Sequence, residues 1–378
     1  MNGLQQLINQ LCPNGVEWET LGKLCEINKG EQLNKENMSE VGSYPVINGG
    51  ICPSGYVEVY NQPKDTITIS QGGASAGYVN WMKTEFWAGA HCYVVIPNKE
   101  IVSNRYVYHY VKSIESKLQE CQYGAGIPAL AKKTVEQVQI PLPPLAIQSR
   151  IVEILDHFTN LTANLTAELA LRRKQFEHFR EKLLSLDGVE GVEWKALGGV
   201  CEYSKKRIVA AELNNANYVS VENLLQNKKG KTQSECCPDA GCWTKFEVGD
   251  VLIGNIRPYL RKIWLADIIG GTNGDVLVIH IKDSDVLCPS YLYYILSSED
   301  FFTYDTSNSK GAKMPRGDKS AVMAYSFPVP PLAVQQSIVE QLDKFTALIQ
   351  NIENELALRQ KQYEYCREKL LSFPSPSL

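Results

Sequence analysis

Two stretches of the chain carry an uninterrupted apolar stripe. In the first, core-type positions fall at Ile151, Leu155, Phe158, Thr162, Leu165, Leu169, Arg172, Phe176, Phe179, Leu183 and Leu186. In the second they fall at Ile338, Leu342, Phe345, Ile349, Ile352, Leu356, Arg359, Tyr363, Cys366, Leu370 and Phe373. Steps of four and three alternate without a slip, the heptad spacing that keeps one face of a helix against a partner. Neither run contains Gly or Pro, and each follows a proline pair, Pro143-Pro144 or Pro330-Pro331, suited to the first turn of a helix. Each pattern predicts a helix roughly 55 Å long. A helix of that length with one apolar stripe needs a partner along it, and the other stripe is the candidate. Arg172 and Arg359 interrupt the stripes at one equivalent place, each four residues after a glutamate, Glu168 or Glu355. That order suits an intrahelical ion pair; a polar position in a stripe also suits register setting or a partner contact.

The helices belong to a repeat. Gly15-Val16-Glu17-Trp18, with Leu21, Gly22, Cys25 and Glu26 behind it, recurs from Gly191-Val192-Glu193-Trp194, an offset of 176. Pro143-Pro144-Leu145-Ala146 and Gln148 recur as Pro330-Pro331-Leu332-Ala333 and Gln335, an offset of 187 that persists to the helix ends. Between these markers, residues 30–140 and 206–327 differ in length and content. The order is variable, constant, variable, constant. We read residues 1–142 as a first variable domain with a helical stub over 4–11. Residues 143–187 are a first spacer helix, 188–329 a second variable domain and 330–378 a second spacer helix. A pseudo-two-fold relation between the halves would make the helices antiparallel. The expected fold is α/β (α+β): two small mixed domains at opposite ends of a long antiparallel two-helix coiled coil. The stub would complete the second half near Leu370-Leu371.

The variable domains carry strand periodicity. Asp65 to Gly73 alternates and runs into a glycine turn, and Gly249 to Pro258 is its counterpart. Further strands are expected over Ala90–Ile96 and Asp275–Ile281, then Tyr-rich helical stretches from Asn104 and Ser290. Each domain ends in a Gly/Pro loop with basic residues, Gly124 to Lys133 and Lys310 to Arg316.

Composition removes several function classes. The formal net charge of -4 offers a polyanion little attraction to the chain alone. No charged-then-apolar leader follows Met1 and no apolar run approaches the ~20 residues of a membrane span, so a cytosolic chain is expected. Eleven cysteines lack a CxxC pair and read as free thiols; Cys236, Cys237 and Cys242 lack a second ligand pair for zinc. Asp187, Glu193 and Lys195 mimic a nuclease motif, but the repeat counterpart Glu17-Trp18-Glu19 lacks the lysine. Gly230-Lys231-Thr232 resembles the end of a phosphate loop whose first glycine is replaced by Leu225. No methyltransferase cofactor motif is present. Neither catalytic residues nor a metal site are expected.

With the "PLPPLAIQ"/"PVPPLAVQ" helix starts, the "ELALRRKQ"/"ELALRQKQ" helix centres and the "GVEW" domain starts in hand, the whole chain resembles the specificity subunits of type I restriction–modification systems. The resemblance implies two target recognition domains, each reading half of a split site on double-stranded DNA. It implies conserved helices that dock two methyltransferase subunits, with restriction/translocase subunits joining them. S-adenosylmethionine, ATP and Mg would belong to those partners, and none to this chain. The alternatives are a coiled-coil adaptor with two protein-binding heads, or a subunit of a modification-only or type IIB-like system. Base reading needs donors and acceptors that reach a groove, and phosphate contacts need Lys or Arg. The candidates are Gln71, Gly72 and Gly73, the loop lysines Lys132 and Lys133, then Arg257, Tyr259, Arg261 and Lys262, and Lys313 with Arg316. Glu168, Arg172, Glu355 and Arg359 are the candidate partner contacts.

If the helices act as a ruler, lengthening both should widen the gap in the DNA target. A four-residue insertion after Leu169, matched by one after Leu356, adds roughly 6 Å to each helix. With ~3.4 Å per base pair, the gap between half-sites should grow by one or two base pairs while both half-site sequences persist. Sequencing the methylated sites of the double insertion checks this; a fixed gap with activity retained contradicts it.

Overall fold

The computed structural model describes residues 2–124, 126–186 and 188–374. Ala125 of the first Gly/Pro loop and Asp187 of the nuclease-like triplet lie outside them. The chain gathers into two compact units, Met1–Ala167 with Asn354–Leu378, and Glu168–Glu353. Both long helices form, Leu145–Ser185 and Leu332–Leu371, and the division falls within each of them. Compactness thus groups the chain differently from separate spacers at 143–187 and 330–378. The reason is packing. In the first unit Ile147, Ile151 and Leu155 share one buried cluster with Leu370, Leu371 and Phe373, and with Tyr106 and Ile140 of the variable segment. Leu4 of the N-terminal helix Asn2–Leu11 belongs to the same cluster, where the stub was expected. In the second unit Ile338 and Leu342 join Leu186, Tyr291 and Phe327. There Phe179 stacks on Phe345 with ring centroids 5.0 Å apart, and Arg173 pairs with Glu353 at 2.5 Å. One residue number rises as the other falls, so the paired segments of this unit run antiparallel.

Each unit is built on an antiparallel four-stranded sheet. The first has the order Cys25–Lys29, Cys92–Pro97, Thr66–Ser70, Val79–Met82, and the second Cys201–Tyr203, Val276–Ile281, Val251–Gly254, Ile263–Leu265. The alternation read in Thr66–Ser70 does not correspond to one wet face, since all five residues are buried. Its neighbour explains why. Tyr93 and Val95 belong to the cluster under the helix Asn104–Ser113, whereas Cys92 and Val94 belong to a second cluster with Ile47, Met82 and Phe86. With apolar material on both faces, even threonine positions are enclosed. A second small sheet supplies that cover. It has three strands in the first unit and four in the second, and the sequence pattern showed neither.

The repeated motifs are repeated because they bind one another. Glu17–Thr20 pairs antiparallel with Gln139–Leu142, Trp18 opposite Pro141. Glu193–Ala196 pairs with Ser326–Val329, Trp194 opposite Pro328. Just beyond, the glutamine of each helix start is fully buried. Gln148 Oε1 accepts from Ser103 N at 2.8 Å, and its Nε2 donates to Pro143 O at 2.8 Å. Gln335 Oε1 accepts from Cys288 N, while its Nε2 donates to Pro330 O and Val286 O, at 2.8, 2.8 and 2.9 Å. Ser103 and Cys288 are the residues from which the Tyr-rich helices Asn104–Ser113 and Pro289–Leu296 start. Those tyrosines close the circuit: Tyr106 donates to Pro141 O at 3.0 Å and Tyr291 to Pro328 O at 2.9 Å.

The units differ beneath the Gly/Pro loops. Leu130 N donates to Gln71 O in the first, and Gly317 N to Asn255 O in the second. Leu130 and Leu118 are buried apolar packing, but the second unit has Gly317 and Asp305 at the matching offsets. A Cβ on Gly317 would lie 2.5 Å from Asp305 Oδ1 and 2.8 Å from Asn255 Oδ1, so only glycine fits beside that carboxyl. Asp305 is 1% exposed, and neither of its oxygens has a hydrogen-bond partner among the described residues. Burial pushes its carboxyl up to about 6.

Two outcomes follow from these buried polar groups. Gln148→Leu should cost its unit about 1–3 kcal/mol, because the buried Pro143 O loses its partner and the half-buried Ser103 N–H is uncapped; urea unfolding of the variant measures it. Asp305 ionises less readily folded than unfolded, so its contribution is greatest below the ordinary aspartate value and is lost as pH rises through about 6. Asp305→Asn should stabilise the second unit by up to about 3 kcal/mol above that pH and flatten the loss of stability between about pH 4 and 6. Urea midpoints at about pH 4.5 and about pH 7.5 check the sign.

Candidate nucleic-acid interface

In both units a turn at the end of a central strand meets a Gly/Pro loop from far along the chain. The turn of the first unit is Gln71-Gly72-Gly73. Gly72 bridges to Ala129, and Gly73 N, in a left-handed conformation (φ 78°), donates to Pro128 O at 2.9 Å. Tyr123 and Ala129 close the loop by exchanging backbone hydrogen bonds at 2.9 Å. Leu130 then leads into the short helix Lys132–Glu136, which carries Lys132 and Lys133. The sequence candidates of this unit are therefore brought together. They are not equally free. Gln71 lies between Ala90 O and Lys29 Nζ, within 3.2 and 3.1 Å of them, which engages its amide in the scaffold. Lys132 and Lys133 are both exposed, and Lys132 pairs with Glu136 at 3.4 Å. The exposed Tyr123 of the loop and the exposed His91, whose carbonyl accepts from Gln71 N at 2.8 Å, lie against the same turn.

The second unit repeats the geometry with different side chains. Ile256 bridges to Arg316, Lys310 and Arg316 close the loop, and Arg257 N donates to Pro315 O at 2.7 Å. Arg257 thus occupies the place of Gly73, and it too is left-handed, with φ 55°. Pro258–Leu260 forms one 3-10 turn, and Arg261 behind it is again left-handed (φ 53°). The basic residues then divide. Arg261 is held by Glu299, Nη1 to Oε1 at 2.9 Å and Nη2 to Oε2 at 2.8 Å. Lys262 Nζ donates to Val221 O at 2.5 Å, and burial holds its ammonium below the usual lysine range. Arg316 pairs with Asp275 at 3.1 Å. Arg257 and Lys313 are exposed and have no side-chain partner among the described residues; Tyr259 is half exposed beside them. A cleft of about 770 Å³ opens here, lined by Arg257, Lys262, Asn273, Asp275, Glu222 and Met314 among others. Sequence reading found the basic segment but not its division into engaged and free charges, which depends on Glu299 and Val221 arriving from elsewhere.

The remaining candidates sit on the long helices. Arg172 pairs with Glu168 at 3.4 Å and Arg359 with Glu355 at 2.7 Å, and all four side chains are about 40% exposed. The intrahelical pair exists at both places. The lookalike motifs resolve into local contacts: Lys195 pairs with Glu193 at 2.9 Å, and Lys231 Nζ donates to Ala216 O at 3.2 Å. Among the described residues no cluster of three or more His, Cys, Asp or Glu side chains is placed to hold a metal, and no helix is long and apolar enough to cross a membrane.

Comparison with known proteins places the chain in a family. The type I restriction modification DNA specificity domain family matches residues 13–171 and again 190–358. The chain is similar to the EcoR124I/EcoR124II type I restriction enzyme specificity subunit of Escherichia coli. The two are 29% identical over 396 residues, covering 96% of this chain and 95% of that one. A putative type I restriction enzyme specificity subunit of Haemophilus influenzae is also 29% identical, over 95% of this chain and 96% of its own. Among solved structures, the S subunit of a type I restriction–modification system from M. genitalium shares the fold. Its TM-score is 0.67 at 19% identity, over 95% of this chain and 97% of that one. A chain from a structure on complex assembly and conformational transition of the type I system gives a TM-score of 0.56 at 16% identity. Two family matches, one on each half of a chain that builds the same scaffold twice, identify it as a member of the type I restriction–modification DNA specificity subunit family, a non-catalytic component of its enzyme complex.

Proposed function

We propose that each unit reads one half of a split, asymmetric duplex site, and that the chain docks methyltransferase and restriction subunits which carry the chemistry. The observation that supports this reading is the twofold construction of the loop-on-turn surface. Its backbone geometry is shared, but its side chains are not: where the first unit has the half-buried Gly73 and an exposed Lys133, the second exposes Arg257 and Lys313. One scaffold with two chemistries suits two different half-sites. S-adenosylmethionine, ATP and Mg are assigned to the partner subunits. For their docking we propose the exposed positions of the long helices around Arg172 and Arg359. There Leu171 and Leu358, equivalent in the repeat, are 62% and 57% exposed beside the Glu168 and Glu355 pairs.

The net charge of -4 sets the conditions for binding. A chain with little attraction for phosphate needs partners to complete a basic surface. Lys133→Ala and Lys313→Ala should each alter methylation through one half of the target only, leaving the bases of the other half unchanged. Duplex binding should be weak and salt-sensitive for the chain alone, and tight and sequence-selective once methyltransferase subunits are added. Methylated-site sequencing and a salt titration of duplex affinity measure both. Nanomolar selective binding by the isolated chain, or a variant that changes both half-sites, contradicts the reading.

A further inference from the structure

Arg257 stands where the matching residue of the other unit is glycine, in a backbone conformation that side-chain-bearing residues rarely adopt and glycine adopts freely. Such an outlier persists where something over-determines it, and that is most often function. What holds it is main chain: Arg257 N donates to Pro315 O at 2.7 Å and Arg257 O accepts from Leu260 N at 2.8 Å, and among the described residues its side chain adds nothing. Arg261, the other left-handed arginine of the same turn, has a two-pronged pairing with Glu299; the guanidinium of Arg257 is exposed and has no partner among the described residues. Nor is a side chain needed to build the turn. The bond from Arg257 N to Pro315 O is made by Gly73 N to Pro128 O in the first unit, where a Cβ on Gly73 would meet nothing within 4 Å. The turn works without a side chain, and the second unit has added one.

The surroundings say what it meets. Phosphate would be disfavoured in the adjoining cleft, because Glu222, Glu235 and Asp275 line it against Arg257 and a Lys262 already committed to Val221 O. Arg316, the nearby arginine, is held by Asp275, and it is the exposed Lys313 of the same loop that is left for a phosphate. A neutral partner that presents two acceptors side by side fits an unpaired guanidinium at the mouth of a cleft that carboxylates also line. In duplex DNA that partner is the major-groove edge of guanine, whose O6 and N7 accept both prongs of an arginine. We infer that Arg257 is the specificity-determining residue of the second unit and reads a guanine in its half-site. The inference rests on the split-site reading above and deepens it.

The test uses the complex reconstituted with its methyltransferase subunits. The wild-type target is first obtained by sequencing methylated DNA, and duplexes carrying each of the four bases at every half-site position are then compared as methylation substrates. Arg257→Gly places the residue that favours this backbone at the turn, so the thermal midpoint should stay or rise. Discrimination at one guanine of one half-site should fall from roughly 5–150-fold to near one, with all other positions and the gap unchanged. Arg257→Lys keeps the charge but loses the fork, and should discriminate at that position less than the wild type. The inference is overturned if the target contains no guanine in either half, or if Arg257→Gly leaves discrimination at every position intact. A drop in the midpoint with Arg257→Gly overturns it in favour of a structural role. A loss equal on every duplex, with a salt dependence shallower by about one ion, overturns it in favour of a phosphate contact. A wild-type complex that methylates no split site sinks the broader proposal instead, so the two failures are told apart.

Discussion

Everything in each unit hangs on one buried glutamine. Gln148 and Gln335 sit in the first turns of the long helices with no access to water, and every polar atom of their amides is engaged by backbone. An amide in that position has few alternatives. It must meet the carbonyl of Pro143 or Pro330 behind it and the N–H that opens the Tyr-rich helix, or leave several buried groups unsatisfied at about 1–3 kcal/mol each. The direction in which the helix leaves the domain is therefore set by hydrogen-bond geometry, where apolar contact alone would tolerate sliding. Tyr106 and Tyr291, each bonded to a carbonyl of the last strand, tie the same three elements from the other side.

Around that fixed joint the two units vary. The first builds its turn from glycine and fills the space below with Leu118 and Leu130; the second has Asp305, Asn255 and Gly317 below and arginine above. Apolar packing and a buried unpaired carboxyl differ greatly in cost, and the second unit tolerates the dearer solution directly beneath its exposed loop. Local stability is being spent at the surface that differs most between the halves, while the joint is built the same way twice.

Much of this was legible in the chain. The stripes at Ile151 to Leu186 and Ile338 to Phe373 are long, free of Gly and Pro, and strictly spaced, so the helices and their repeat could be read directly. The central strands were found but their environment was not. Thr66–Ser70 looks half polar because threonine tolerates burial in a covered sheet, and the cover comes from short strands such as Tyr44–Ile47 and Trp87–Ala88 that carry no period of their own. Gln148 and Gln335 were visible as repeated letters, but their task depends on Ser103 and Cys288, some 45 residues earlier. The basic segment Arg257 to Lys262 was likewise found as a group. Its sorting into anchored and free charges depends on Glu299 and Val221, and no local pattern announces a left-handed arginine.

The short ladders that join Glu17–Thr20 to Gln139–Leu142, and Glu193–Ala196 to Ser326–Val329, bring the two ends of each variable segment side by side. More than a hundred residues thus leave and return through one doorway a strand's width across. Whatever lies between can grow, shrink or be replaced without moving either doorpost, because the lintel is made of main-chain bonds indifferent to the furniture inside. The 11-residue difference between the two repeat offsets is the trace of that freedom within a single molecule. A different segment closed by the same ladder would meet the same helix at the same place, so the rooms can change with the house left standing.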